Sequence, residues 1–422
     1  MDKTLLKIQQ KNIPVNWRVE RFGDVFDFLS TATYSRDILK ESGEVQYLHY
    51  GDIHTKYNFH LDFTKNNLPF ITEIERRNYP YMKNGDLVLA DASEDYDGVG
   101  KGVEIKNIGD SKAISGLHTF LLRDKDSNFV LGYKGFIPSC DIVREQFYRF
   151  ATGTKVYSLS KESLSKVKVL IPPKEEQKAI ADCLSTWDDA IEKQTKLIAA
   201  KQQRKKALMQ QLLSGKKRLP GFTEDWKEVR LCDICDLIHG YQFRDHDFSK
   251  EQTNYAVVKI NNIQNGYFRN TELSFITEKR FLELSRFQLF EDDILMSLTG
   301  NIGRVVLLPK FDNVLIQNYR VGKFVEKNGV LKKYLKNILS SEQLFNQFNN
   351  LSNQSAQANF GKQDMDKLKI SIPRNISEQN AVADILENSA AEIELEKKKL
   401  LILKRQKKGM MQNLLSGKVR LV

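Results

Sequence analysis

The 422-residue chain contains only 4 cysteines, 9 prolines and 3 tryptophans. Four thiols spread over this length do not make a disulfide framework, so the expected setting is the reducing cytoplasm. No apolar run approaches the ~20 residues that span a bilayer, and Met1 to Lys11 lacks the apolar core of a signal peptide, so no membrane partner is expected.

Catalytic signatures are scarce as well. The loop with which amino-methylating enzymes hold a flipped base reads (Asn/Asp/Ser)-Pro-Pro-aromatic. The only Pro-Pro here, Pro172-Pro173, stands between Ile171 and Lys174. Gly98-Val99-Gly100-Lys101 is not followed by Ser or Thr and is no phosphate loop. Asp86 with Glu104-Ile105-Lys106 has the carboxylate-plus-E-x-K form of a Mg²⁺ nuclease, but the pattern is common by chance, and the second half offers Asp293 with Leu307-Leu308 instead. Cys232-Asp233-Ile234-Cys235 has no second pair, and Gly23 and Phe26 stand at the matching positions of the first half, so ordinary buried thiols are expected. His49, His54 and His60 crowd together without a recognisable metal spacing. No catalytic and no metal-ligating residue is assigned.

What is present is charge and repetition. Lys and Arg number 65 against 54 Asp and Glu, a net +11, which favours polyanionic partners without naming one. Shifted by 202 residues, the chain matches itself: Glu176-Gln177 falls on Glu378-Gln379, Ile191-Glu192 on Ile393-Glu394, and Leu212 to Lys216 on Leu414 to Lys418. A fainter copy precedes each segment, with Trp17-Arg18 answering Trp226-Lys227 and Leu159-Ser160-Lys161 answering Phe360-Gly361-Lys362. The plan is a variable block, a constant segment, a variable block and a constant segment.

Both constant segments read as long helices with a heptad seam. The first seam runs through Ile180, Leu184, Trp187, Ile191, Gln194, Ile198, Lys201, Lys205, Leu208 and Leu212. The second runs through Val382, Leu386, Ser389, Ile393, Glu396, Leu400, Leu403, Lys407, Met410 and Leu414. Prolines 172, 173 and 373 precede the helices, and Gly215 and Gly417 stand where a C-terminal stop belongs. Two matched seams in one chain are natural partners, and antiparallel pairing satisfies the connections, giving a rod of ~50 Å at ~1.5 Å per residue. Polar seam residues such as Lys205 and Lys407 weaken packing but fix register. The blocks read as mixed α/β, with short strands expected at Tyr47 to Tyr50, Leu87 to Leu89, Ala256 to Ile260 and Arg304 to Leu308.

The Ile-Pro to Glu-Gln helix starts (Ile171-Pro172 to Glu176-Gln177, Ile372-Pro373 to Glu378-Gln379), the long helices and the Leu-Leu-Ser-Gly-Lys-x-Arg-Leu ends resemble the specificity (S) subunits of type I restriction–modification enzymes. The resemblance covers essentially the whole chain. It implies an α+β protein with a pseudo-twofold repeat: two target-recognition domains (1–170 and 220–371) separated by an antiparallel two-helix coiled coil formed by spacer helices 171–219 and 372–422. It further implies a non-catalytic subunit that reads a bipartite, interrupted site on double-stranded DNA. Two methyltransferase (M) subunits and motor–nuclease restriction (R) subunits would join it, carrying S-adenosylmethionine, ATP and Mg²⁺, with no cofactor on this chain. The alternative is a coiled-coil adaptor that binds proteins only.

Base readout draws on Arg and Lys for guanine and Asn and Gln for adenine. The loop-like candidates in the first block are Tyr34, Arg36, His49, Tyr50, His54, Lys56, Lys101 and Lys155. In the second they are Tyr241, Gln242, Arg244, Lys259, Asn261, Asn262, Asn301, Arg304, Gln317 and Asn318.

Overall fold

A computed structural model of the chain describes residues 13–352 and 360–422; the Met1 to Lys11 segment lies outside them. The chain folds as two compact units, Met1–Thr195 with Lys399–Val422, and Lys196–Lys398. Each unit therefore contains one block and half of each long helix. The reason is packing. Ile180, Ala181 and Leu184 of the first helix and Met411, Leu414 and Leu415 of the second are buried in one core with Trp17, Phe22, Phe26 and Phe136. Leu212, Leu213, Val382, Ala383 and Leu386 join the core of the other unit in the same way.

The long helices run Lys174–Leu213 and Ile376–Leu415. Gly215 and Gly417 follow them at φ +70° and +73°, the left-handed conformation that ends a helix and that a side chain resists. Within each unit the two helix halves are antiparallel. In the first, Asp188 bonds Lys407, while Glu176 near the start of one helix meets Arg420 just past the end of the other. In the second, Lys201 pairs with Glu392 and Glu396, and Glu378 meets Arg218. Every seam position is buried or half-buried. Ile180, Leu184, Ile198, Leu212, Val382, Leu386, Ile393 and Leu414 are buried, and Trp187, Ile191, Leu208, Leu400, Leu403 and Met410 are half-buried.

The Glu-Gln pairs are the joints between block and helix. Gln177 donates to the Asn128 and Pro172 carbonyls, both at 2.9 Å, and accepts from Val130 N at 2.9 Å. Gln379 repeats this with Gly329 O (2.9 Å), Pro373 O (3.1 Å) and Leu331 N (3.0 Å). Glu176 and Glu378, each at most 1% exposed, accept Trp17 Nε1 (2.8 Å) and Trp226 Nε1 (3.2 Å). Buried polar groups with all partners in place fix one geometry, which is why these residues recur at the same offset.

The two blocks share a topology. In the first, strand Arg18–Arg21 pairs antiparallel with Lys168–Ile171, closing the block where its helix begins. A five-stranded sheet is ordered Phe26–Leu29, Thr119–Asp124, Leu87–Ala90, Gly102–Lys106, Phe59–Asp62, and a smaller sheet centres on Val45–Leu48 with parallel Ala113–Ser115. In the second, Lys227–Arg230 pairs with Lys369–Ile372. One sheet runs Cys235–His239, Val321–Glu326, Ile294–Ser297, Val305–Leu307, and another centres on Tyr255–Val258 with parallel Val314–Gln317. Two expected strands end two residues early. Val45–Leu48 stops because His49 caps the helix Tyr50–Thr55, its ring accepting Gly51 N at 3.1 Å. Tyr255–Val258 stops because Asn262 accepts Lys259 N at 2.9 Å and closes a 3₁₀ turn. Both turns place polar side chains at the same point of the block.

Candidate nucleic-acid interface

In the first block the turn after Val45–Leu48 gathers most of the candidates. Arg36 and Lys56 both bond the buried Asp52 at 3.0 Å, and Arg36 also reaches the His49 ring at 3.3 Å. Burial, reinforced by the Arg36 charge, lowers the His49 pKa and favours a neutral imidazole. Tyr50 is ringed by His49, His54 and His118, with centroids 4.6, 6.0 and 5.3 Å away. His54 Nε2 lies 3.0 Å from Ala92 O, and Lys101 donates to His54 O at 2.8 Å. His49, Tyr50, His54 and Lys101 thus form one patch joined to Arg36 and Lys56. Tyr34 lies beside it, its carbonyl accepting Tyr47 OH at 2.7 Å. Lys155 is exposed on the segment leading to strand Tyr157–Ser158, which pairs with Ala92–Ser93. His118, held by Asp91 at 3.2 Å, belongs to the patch but was not among the candidates. Lying 64 residues beyond His54 in sequence, it gives no local signal.

The second block divides its candidates. Gln317 is buried and donates to the carbonyls of Ile238 (2.8 Å) and Val321 (2.7 Å), joining the two sheets. Asn262 is fully buried, donating to Arg269 O and Thr271 O, and Asn318 shapes a turn by accepting Arg320 N at 3.1 Å. These three amides are committed to the fold. Tyr241 accepts from Arg280, which is itself paired with Asp247, and Lys259 bonds Ser274 and lies 4.1 Å over the Phe248 ring. Gln242 and Arg244 are exposed on the loop before Asp247.

Asn261, Asn301 and Arg304 come together. With Gln264, Arg269 and Ser297 they line a hollow of about 410 Å³. It adjoins, through Ile260 and Thr299, a larger one of about 1080 Å³ bordered by His239, Tyr319, Arg320 and Lys362. Gln264, Arg269 and Arg320 were not among the candidates, although Gln264 and Arg320 lie only two residues beyond Asn262 and Asn318; residue type and a loop-like setting do not show which neighbours line the hollow.

The residues considered for other chemistry are otherwise engaged. Asp86 takes two bonds from Arg123 (2.9 and 2.7 Å), and Glu104 accepts Gly132 N and Gly135 N beside Lys134. His60, away from the Tyr50 patch, lies 2.9 Å from Gly132 O. Burial pushes the Cys235 thiol up to about 12 and Cys232 up to about 11, the latter helped by Asp366 and Asp233. None of the four cysteines is in a disulfide. Among the described residues no group of three or more His, Cys, Asp or Glu is placed to hold a metal ion, and no helix is long and apolar enough to cross a membrane.

A family model for the type I restriction modification DNA specificity domain matches the chain twice, over residues 14–202 and 223–405. The chain belongs to this family. It is 28% identical over 293 residues to the type I restriction enzyme MjaVIII specificity subunit of Methanocaldococcus jannaschii, covering 66% of this chain and 68% of that one. It is 22% identical over 437 residues to a putative MjaX specificity subunit of the same organism, covering 99% and 97%. Among solved structures, the S subunit of a type I restriction–modification system from M. genitalium has a TM-score of 0.53 at 14% identity over 96% of each chain. A chain from a structure describing complex assembly and conformational transition of the type I R-M system has a TM-score of 0.63 at 15% identity, covering 97% of this chain and all of that one. Each match takes in most of one block and the larger part of the long helix that follows it, and the patches described above lie within the matched residues.

Proposed function

We propose that this chain reads a bipartite, interrupted site on double-stranded DNA, one half-site per specificity domain, and brings methyltransferase and restriction subunits to it. The observation that carries the reading is the contrast between a duplicated frame and unlike faces. The Glu-Gln joints are the same in both units, whereas the first domain presents histidines, Tyr50 and Lys101 and the second presents Arg304, Asn261 and Asn301. Such a pair suits two different half-sites rather than an inverted repeat. This chain supplies binding only. S-adenosylmethionine, ATP and Mg²⁺ belong to two M subunits and the R subunits, which perform adenine-N6 methylation or cleavage.

The test is binding of the full chain, with its M subunits, to duplexes selected from a random pool, measured across salt concentrations. Two enriched sequence blocks separated by an unselected spacer, with affinity falling steeply as salt rises, are expected. Salt-insensitive binding without sequence enrichment would leave the protein-only adaptor.

A further inference from the structure

We infer that Arg304 reads a guanine in the half-site of the second domain and that Gln264 holds its guanidinium in the reading plane. The inference deepens the proposed DNA-reading role and rests on it. Arg304 opens onto the smaller hollow at the edge of strand Val305–Leu307. Its Nη1 donates to Gln264 Oε1 at 3.2 Å, and its backbone N donates to Ser297 Oγ at 3.1 Å. Ser297 in turn donates to Asn301 O at 2.5 Å, tying the Thr299 to Gly303 turn beneath the arginine. The side chain is half-buried, whereas Arg269 and Arg320 nearby are exposed.

That difference separates two uses of arginine. A phosphate contact needs charge within reach, which a mobile, exposed side chain supplies. Reading guanine needs two parallel N–H groups aimed at O6 and N7, so a guanidinium fixed before binding loses less freedom on contact. Gln264 takes one of the five N–H donors and leaves the rest of the fork. Among the described residues the lining of the hollow contains no acid, so a cytosine amino group finds no carboxylate acceptor there, and Asn261 and Asn301 are suited to neighbouring adenines. Arg269 and Arg320 then fit the flanking phosphates.

The test sequences duplexes bound by the full chain, with its M subunits, from a randomised pool. The wild type is expected to enrich guanine at one position of one half-site. Arg304→Ala should lose that preference alone, weakening the selected site about 5- to 150-fold, the range for a bidentate arginine–guanine pair, with the other half-site unchanged. Arg304→Lys, which keeps the charge but not the fork, should lose the preference with the salt dependence intact. Arg304→Gln should move the preference toward adenine, and Gln264→Ala should blunt it. Comparable thermal unfolding of these variants excludes misfolding, and the Lys and Gln variants decide the matter if Ala destabilises. Uniform weakening on every sequence, with the salt slope reduced by about one, would make Arg304 a phosphate contact and overturn the inference while leaving the DNA-reading role standing. Unchanged selection in all four variants would overturn it too. No sequence enrichment by the wild type would overturn both.

Discussion

Arg420 holds Glu176 through two N–H donors, Nε and Nη2, the latter at 2.7 Å, while the Trp17 indole donates to the same carboxylate. Arg218 holds Glu378 in the same way at 2.6 and 2.9 Å, beneath Trp226. Each domain is thus closed by the segment that follows the other long helix.

Removing one partner of such a pair leaves a buried, uncompensated charge. Arg420→Ala is expected to destabilise the first unit by about 2–4 kcal/mol, somewhat less than for a fully buried pair because the arginine is partly exposed. Arg218→Ala should do the same to the second unit. Hydrogen exchange read separately in the two units would measure this. Equal loss of protection in both units from either variant would refute the local clasp.

The seam is not equally satisfied in the two units. Lys407 bonds Asp188 and lies 3.8 Å over the Phe59 ring, although burial disfavours the charged form of both partners. At the repeat positions stand Lys205 and Ala390, and the Lys205 pKa is lowered by burial and by Lys336 and Lys397. Ala390→Asp should therefore stabilise the second unit by about 1 kcal/mol, and Asp188→Ala should destabilise the first. Denaturant titration checks both, and an Ala390→Asp chain less stable than wild type would count against the equivalence.

Burial pushes the His60 pKa down to about 4, and Lys106 and Lys407 act in the same direction. The hydrogen bond with Gly132 O and the Asp62 charge oppose it. The folded state therefore keeps His60 neutral, while the unfolded chain takes up a proton below about pH 6.5. The stability from this group is complete above that pH and is lost as pH falls toward 4, by at most about 3 kcal/mol. His60→Gln keeps a donor for Gly132 O without a titrating ring, so its stability should fall less than wild type over this window. Parallel stability profiles would show that His60 does not contribute.

The frame of the molecule was legible in its sequence because it is written twice. Glu176-Gln177, the seams, Gly215 and Gly417 recur at one offset, and helix periodicity and stop signals are local. The faces were less legible. Gln317 and Asn262 have the residue types of adenine readers, yet only the tertiary structure shows that their amides are consumed by backbone carbonyls. His49 and Lys259 were read as strand, since capping by a side chain two or three residues away competes with β-propensity in a way composition does not reveal. Gln264 supports Arg304 from 40 residues away, and no local pattern announces such a contact.

The central claim is one reader per domain, and mapping methylated adenines in cells that express the chain with its M subunits tests it most directly. The wild type should methylate a split site with two different halves. Exchanging residues 1–170 for the corresponding block of another family member should change one half and leave the other intact. A site in which both halves changed together, or a continuous site, would contradict the account.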